Sequence, residues 1–179
     1  MGRIARAAAF LDRDGVINVD HGYIHRPEDF ELLPGTLEAL RQLKAAGYLL
    51  IIVTNQSGIG RGYYSESDLA ALHGHMKELL AREGVKLDAI YYCPHRPDER
   101  CSCRKPLPGL IQRALDELAV DASRSFIVGD KPSDIAAGAA GGLGTAYLLS
   151  DEGEFATLSE CVAAHIAKVC HGGRGSAKS

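Results

Sequence analysis

The sequence predicts an α/β fold: a Rossmann-like parallel sheet of about five strands, with helices on both faces and no cap domain. Two observations support this prediction. Short apolar runs alternate with segments of helical periodicity, and one helix with a loop fills each gap between runs. Such alternation is typical of a parallel sheet that is covered on both faces. The predicted strands are residues 7–11, 48–53, 87–92, 125–128 and 145–149.

Helical periodicity places one helix after each strand. Gly47 ends the first helix, because glycine adopts the left-handed conformation of a helix C-terminus without a steric penalty. The third helix begins at Pro108, since proline suits the first turn of a helix. The other assignments use the same signals: Leu37, Leu40 and Leu43 in the first helix, Ser65 to Gly84 for the second, an Ala-rich fourth helix after Asp134, and residues 158–169 for the fifth.

Composition is that of a globular protein and argues against several classes of partner. Of 179 residues, 46% are hydrophobic and 24% are charged, and the formal net charge is -3. No block of Lys and Arg indicates nucleic acid, and no apolar run reaches the roughly 20 residues that span a bilayer. Residues 7–11 are too short for a signal peptide. We expect a cytoplasmic monomer with one domain over residues 1–170 and a disordered tail over residues 171–179.

Polar residues follow the predicted strands, at the edge where ligands bind to parallel sheets. Asp12 and Asp14 come after the first strand, Thr54 after the second and Asp130 after the fourth. Carboxylates at one edge repel each other unless a cation offsets their charge, and Mg²⁺ prefers oxygen ligands. We therefore predict a magnesium site at Asp12, Asp14 and Asp130. The alternative is a simple polar turn after the first strand, which does not explain why Thr54, Lys105 and Asp130 also lie at strand ends.

Three of the five cysteines lie within residues 93–103, in the pattern C-x-H-x5-C-x-C. Two chelating pairs can close around one tetrahedral Zn²⁺, and the charged and proline residues between them bury no apolar surface of their own. We predict a structural zinc loop, with the alternative that these are reduced thiols without a metal. The predicted ligands are Cys93, His95, Cys101 and Cys103, whereas Cys161 and Cys170 are predicted core residues.

Four motifs resemble those of the haloacid dehalogenase-like phosphatase superfamily. They are D-R-D-G-V from Asp12, Thr54 after an apolar strand, Lys105 before a proline, and G-D-K-P-S-D from Gly129. Each motif is short, but the four occur in order and at strand ends over residues 7–150. True dehalogenases of this superfamily lack the second Asp, so Asp14 argues for a phosphatase.

The resemblance implies a role for each matched residue. Asp12 is the nucleophile that forms an aspartyl phosphate, and Asp14 is the acid and base that protonates the leaving group and then deprotonates water. Thr54 and Lys105 bind the phosphoryl oxygens. Magnesium is held by Asp12, Asp130 and the main-chain carbonyl of Asp14.

The zinc loop and the missing lid resemble one subgroup, the D-glycero-D-manno-heptose 1,7-bisphosphate 7-phosphatases and the related histidinol-phosphate phosphatases. The stretches D-H-G-Y, T-N-Q-S-G-I-G-R-G and C-R-K-P favour the heptose enzymes. The resemblance implies a phosphosugar substrate from the synthesis of ADP-heptose for lipopolysaccharide core. It also implies the following substrate contacts: Asp20, His21, Gly22, Tyr23, Asn55, Gln56, Ser57 and Arg104.

Several alternatives stay open at this point. Lys131 is a candidate substrate contact or a solvated surface charge, and Asp134 has no assigned role. Histidinol phosphate is the alternative substrate. A non-catalytic zinc-binding module on a phosphatase scaffold is a second alternative, against which the intact Asp12, Asp14 and Asp130 argue.

Overall fold

A computed structural model describes residues 4–172 and contains a five-stranded sheet in the order β3-β2-β1-β4-β5. All neighbouring strands run parallel, so their carboxyl ends meet at one edge. This architecture confirms the predicted α/β fold. The strands are β1 (Ala8–Leu11), β2 (Leu49–Asn55), β3 (Ala89–Cys93), β4 (Phe126–Gly129) and β5 (Thr145–Leu148).

Five α-helices connect or follow these strands and cover both faces of the sheet. Buried side chains of three helices share one core cluster, and those of the other two share a second. The first layer contains α1 (Thr36–Ala45), α2 (Glu66–Arg82) and α5 (Leu158–Gly172), and the second contains α3 (Gly109–Leu118) and α4 (Pro132–Ala140).

The central strand β1 separates the two cores because successive strand residues point to opposite faces. Ala9 and Leu11 belong to the first core cluster, and Ala8 and Phe10 belong to the second. All four side chains are fully buried. A strand covered on both faces reads as a continuous apolar run, which is why the sequence identifies β1 so readily.

The helix that follows β2 begins with a capping box. The Ser65 hydroxyl accepts a hydrogen bond from the Asp68 N–H at 3.1 Å, and the Asp68 carboxylate accepts one from the Ser65 N–H at 2.8 Å. These bonds satisfy two N–H groups that have no partner inside the helix. The predicted start of this helix at Ser65 is thereby explained.

Several predicted boundaries differ from the observed ones by one or a few residues. β2 continues to Asn55, and α4 begins at Pro132 rather than after Asp134, which places Asp134 in its first turn. His171 and Gly172 form the end of α5. The rest of the predicted tail, residues 173–179, lies outside the described residues.

Within residues 4–172, no helix is long and apolar enough to cross a membrane, and no segment forms a separate cap over the sheet.

Candidate active site

A cleft of about 740 Å³ lies at the carboxyl edge of the sheet. The chain segments that follow β1, β2 and β4 all contribute to it, together with the segment after β3 that contains the cysteines. The structure therefore brings the four motifs together, as the parallel topology requires.

Lys105 is buried at the base of this cleft and joins two carboxylates. Its Nζ lies 3.0 Å from Asp12 Oδ1 and 2.6 Å from Asp134 Oδ1, and it donates to the Val53 carbonyl at 2.8 Å. Only 3% of Lys105 and 6% of Asp12 are exposed. A lysine ammonium has three donors, and three acceptors surround this one. Lys105 therefore orients the predicted nucleophile directly, before any phosphate enters.

Burial and neighbouring charges shift the pKa values of the groups at the base of the cleft. Burial raises the pKa of Asp12 to about 6, against the lowering influence of Lys105. Burial also raises the pKa of Asp130. For Lys105, burial by itself lowers the pKa, but the Asp12 and Asp134 carboxylates together raise it above its usual range. Lys105 is therefore charged at neutral pH. Its single positive charge does not offset the negative charges of the carboxylates around it.

Three carboxylates, Asp12, Asp130 and Asp134, place oxygen atoms within 4.8 Å of one another. Asp130 Oδ1 is buried and has no hydrogen-bond partner among the described residues. A buried carboxylate oxygen without a donor is unfavourable unless a cation contacts it. This donor set fits a hard divalent cation such as Mg²⁺.

Two glycines allow these carboxylates to approach the neighbouring loops. Gly15 has a φ of 82°, and a Cβ at this position would collide with the Asp130 carboxylate. A Cβ on Gly129 would collide with Asp134 in the same way. Both motifs therefore require glycine for steric reasons, and Gly15 also requires it for its left-handed backbone.

Asp14 lines the cleft and accepts hydrogen bonds from a network of N–H donors. Its Oδ1 accepts from Arg13 Nε at 3.2 Å, from Arg13 Nη2 at 2.9 Å and from Asn18 Nδ2 at 3.0 Å. Its Oδ2 accepts from Arg13 Nη2 at 3.0 Å and from Gln56 Nε2 at 3.0 Å. The carboxylate is thereby held in one orientation with both oxygens engaged.

The residues after β2 have two different structural roles. Gln56 is 2% exposed and donates to the Thr54 hydroxyl at 2.9 Å, while Tyr64 donates to Gln56 Oε1 at 2.6 Å. Gln56 therefore connects Thr54 to Asp14 and is largely buried, although it also lines the cleft. Asn55 exchanges two hydrogen bonds with the main chain of Lys105, each of 3.1 Å. Asn55, Gln56 and Ser57 all line the cleft. Their contact with a substrate stays a prediction.

The rim of the cleft contains most of the predicted substrate contacts. Asp20, Gly22, Tyr23 and Lys131 line it, and Lys131 Nζ lies 3.6 Å from Asp20 Oδ2 and 3.8 Å from an oxygen of Asp130. His21 lies outside this lining, with its ring 3.8 Å from Glu31, and its contact with a substrate stays a prediction.

Two aromatic pairs join the rim loops. Tyr23, a non-glycine residue with a φ of 50°, packs edge-on against Tyr63 with ring centroids 4.9 Å apart. His25 stacks on Tyr64 with centroids 4.8 Å apart. These pairs connect the loop after β1 with the loop after β2 at the rim.

The four predicted zinc ligands form one cluster beside the cleft. The Cys93 and Cys103 sulfurs are 2.9 Å apart, and His95 Nδ1 lies 3.4 Å and 3.3 Å from them. The Cys101 sulfur is 3.9 Å from that of Cys93, and all four ligand atoms lie within 4.8 Å of one another. Burial raises the pKa of the Cys93 thiol, so it is protonated unless a metal binds. The cluster could hold one tetrahedral metal ion.

The metal-ligand cluster is connected to the catalytic groups through main-chain contacts. The Cys93 carbonyl accepts from the Gln56 N–H at 2.8 Å, and Arg104 Nη1 donates to the His95 carbonyl at 3.2 Å. Arg104 also lines the cleft. The loop is thereby linked to Arg104 and to the segment that follows β2.

Four functional candidates were not identified from the sequence as parts of the site. The sequence predicts no role for Asp134, although its place in the G-D-K-P-S-D motif, four residues after Asp130, is a usable signal. His73 has no signal in the sequence, because its partner Arg13 lies 60 residues away in the chain. Arg13 and Tyr64 lie close in the chain to their partners Asp14 and Gln56, but the sequence does not predict these hydrogen bonds.

Comparison with known proteins agrees with this geometry. Residues 3–142 match the model of the haloacid dehalogenase-like hydrolases, and the chain belongs to this family. Together with its named phosphatase relatives, this membership makes the chain a phosphomonoester hydrolase.

Two similar relatives carry one name. The chain is 52% identical over 139 residues to the D-glycero-beta-D-manno-heptose-1,7-bisphosphate 7-phosphatase of Pasteurella multocida, over 74% of this chain and 76% of the relative. It is 48% identical over 149 residues to the enzyme of that name from Yersinia pestis, over 79% of each. The fold is similar to a crystal structure of D,D-heptose 1,7-bisphosphate phosphatase from B. bronchiseptica complexed with magnesium and phosphate, with a TM-score of 0.80 and 32% identity over 90% of this chain and 99% of that chain.

Proposed function

We propose that this chain hydrolyses the 7-phosphate of D-glycero-D-manno-heptose 1,7-bisphosphate, through an aspartyl phosphate on Asp12. The observation that carries the chemistry is the buried Asp12 carboxylate, held by Lys105 beside Asp130 and Asp134. The substrate follows from the relatives of that name, which share about half of the aligned residues.

In the first half-reaction, an oxygen of Asp12 attacks phosphorus and the bond from phosphorus to the sugar oxygen breaks. Asp12 Oδ1 faces Lys105 and the Arg13 N–H, so Oδ2 is the candidate nucleophilic atom. Asp14 gives its proton to the departing sugar oxygen. The Thr54 hydroxyl accepts from Gln56, which leaves its own O–H to donate to a phosphoryl oxygen.

In the second half-reaction, Asp14 takes a proton from a water molecule that attacks phosphorus. The bond between phosphorus and Asp12 breaks, and inorganic phosphate and the free carboxylate are regenerated. Throughout both steps, Lys105 contacts Asp12 and Asp134 and keeps the nucleophile in place.

Asp12, Asp130 and the main-chain carbonyl of Asp14 are the proposed ligands of magnesium, with Asp134 close by. When bound, the ion offsets the repulsion between the nucleophile and the phosphate. We further propose that Cys93, His95, Cys101 and Cys103 bind structural zinc, because four sulfur and nitrogen donors leave no open position.

We propose one domain over residues 1–170, since one sheet with two covered faces accounts for the described elements. We also propose that the protein is a cytoplasmic monomer that acts on a small phosphosugar. Its five cysteines are free, which is typical of proteins in a reducing compartment.

Purified protein should release phosphate from the heptose bisphosphate in the presence of magnesium, and far more slowly from histidinol phosphate. The readout is kcat/KM for each compound by phosphate release, with p-nitrophenyl phosphate as a general substrate. A preference for histidinol phosphate would overturn the proposed substrate. Lack of activity on all three compounds would overturn the proposed chemistry as well.

Arg104→Ala should remove most of the preference for a bisphosphate over a monophosphate of similar size. Arginine presents a planar fork of donors that matches a second phosphate, and Arg104 lines the cleft with one donor on the His95 carbonyl. A lost charge-assisted hydrogen bond is worth about 1.5–3 kcal/mol, or roughly a tenfold to hundredfold loss in kcat/KM.

The control for this variant is p-nitrophenyl phosphate, which has no second phosphate and should be hydrolysed almost as fast as by wild type. If Arg104→Ala lowered kcat/KM for every substrate by the same factor, Arg104 would belong to the phosphoryl site instead.

A further inference from the structure

Arg13 is a buried cation whose donors are divided between the catalytic site and α2. Its side chain is fully buried, and three of its contacts go to the Asp14 carboxylate. Nη2 also donates to the Ile24 carbonyl at 2.9 Å, and Nη1 contacts His73 Nε2 at 3.3 Å. A buried guanidinium is tolerated only where its N–H groups are paired, so each of these partners holds it in place.

His73 can serve as the acceptor because its ring is neutral. Burial lowers its pKa to about 3, and the positive charges of Arg13 and Lys77 add to this, against the opposite influence of Asp14. The other ring near it is Tyr92, with centroids 6.1 Å apart. His73 is 7% exposed and does not line the cleft, so it does not touch a substrate there.

We infer that His73 is a positioning residue for catalysis, which acts on the Asp14 carboxylate through Arg13. This inference rests on the proposed acid–base role of Asp14. His73 fixes the plane of the guanidinium from α2, and the bidentate contact with Arg13 then fixes the plane of the carboxylate. Without an acceptor at Nη1, the guanidinium loses one of the contacts that fix its plane, and the Asp14 carboxylate, which Asn18 and Gln56 also contact, is held less firmly. Displacement of a reacting group by about 1 Å is enough to lower a rate by roughly a hundredfold.

Two amide substitutions separate this role from simple packing. In His73→Gln the side-chain oxygen reaches the place of Nε2 and can accept from Arg13, whereas in His73→Asn it reaches only the place of Nδ1. Both variants are polar, uncharged and smaller than histidine. We expect His73→Asn to lower kcat on the heptose bisphosphate about tenfold or more with little change in KM, and His73→Gln to stay within about threefold of wild type.

The leaving group supplies a second readout. p-Nitrophenolate departs without a proton, so hydrolysis of p-nitrophenyl phosphate needs the acid less in the first step. His73→Asn should therefore affect the sugar phosphate more than the aryl phosphate under single-turnover conditions. Equal losses on both substrates, or equal losses in the Gln and Asn variants, would overturn the inference.

A double-mutant comparison tests the route through Asp14. In an Asp14→Asn background, His73→Asn should lower kcat no further. A further loss of the same size would show that His73 acts elsewhere and would overturn the inference. If His73→Asn fails to fold, Arg13→Lys replaces it, since lysine keeps the charge but not the fork. Full activity of Arg13→Lys on the sugar phosphate would then contradict the inference.

The same variants distinguish the inference from the proposed function. If Asp14→Asn kept wild-type kcat, the acid–base role itself would be wrong, and the inference would fall with it. If Asp14→Asn is slow while His73→Asn is as fast as wild type, only the inference is wrong.

Discussion

Asp12→Asn should lower kcat by at least about a thousandfold on every phosphate ester while leaving the fold intact. The amide is nearly isosteric with the carboxylate but is a very poor nucleophile. Lys105 keeps two of its acceptors in the variant, Asp134 and the Val53 carbonyl. The measurement is phosphate release from p-nitrophenyl phosphate and from the heptose bisphosphate, with circular dichroism as the check of folding.

Thermal unfolding of the same variant should show no loss of stability in magnesium-free buffer. Burial raises the pKa of Asp12 to about 6, above the value of 3.8 for a free Asp side chain. The ionised carboxylate at neutral pH is therefore less favourable in the folded chain than in the unfolded chain, and removal of its charge relieves this. The Tm of Asp12→Asn should equal or exceed that of the wild type.

The matched control is Asp14→Asn, which makes the same chemical change two residues further on and keeps the nucleophile. Acid-quenched Asp14→Asn protein should carry a phosphoryl group after reaction with p-nitrophenyl phosphate, detectable by mass spectrometry, because hydrolysis of the intermediate lacks its base. Asp12→Asn should carry none. Substantial steady-state turnover by purified Asp12→Asn protein would rule out the covalent mechanism.

Purified wild-type protein should contain about one zinc per chain, and Cys103→Ser should contain almost none. Loss of the metal removes the order of residues 93–103, since the charged residues between the ligands have little apolar surface to bury. We expect a lower Tm and a loss of at least about tenfold in kcat/KM, because Cys103 lies two residues before Lys105. Elemental analysis, thermal unfolding and phosphate release are the measurements.

The predicted core position of Cys170 is wrong, because this residue is exposed near the end of α5, whereas Cys161 is buried as predicted. Cys170→Ser is the control, since Cys170 lies outside the ligand cluster. It should keep zinc, Tm and activity. Wild-type protein that lacks zinc after preparation without chelators would refute the zinc site. A Cys103→Ser protein without zinc but with full activity would instead refute the link between the loop and Lys105.

The sequence was sufficient to predict the sheet and its motifs because each of them has a local cause. β1 and β4 are continuous apolar runs, since both of their faces are covered. Asp12 and Asp130 follow these runs directly, and parallel topology brings the ends of strands to one edge. The boundaries were less accurate where helices begin, as for α4, because Pro132 starts the helix two residues before Asp134.

Roles that depend on long-range contacts were not accessible in this way. Gln56 reads from the sequence as part of a substrate loop, yet its side chain is 2% exposed and connects Thr54, Asp14 and Tyr64. Asp134 reads as a solvated charge, yet it is 1% exposed and pairs with Lys105. Hydrophobic periodicity predicts which face of a helix or strand is buried. It does not predict which polar groups a buried polar side chain contacts.

The sequence by itself determined the α/β class, the order of the motifs and the C-x-H-x5-C-x-C pattern, because these follow from local patterns and spacing. The candidate role of Asp12 as nucleophile came from the family resemblance of its motif. Only the tertiary structure decided that Lys105 joins Asp12 to Asp134 and that Arg13 joins Asp14 to His73. Asp14 and His73 are far apart in the chain, and their approach depends on how α2 packs against the sheet. A buried charge needs hydrogen-bond partners, and the fold can supply them from any part of the chain. Hydrophobic periodicity in the sequence does not predict which residues these partners are.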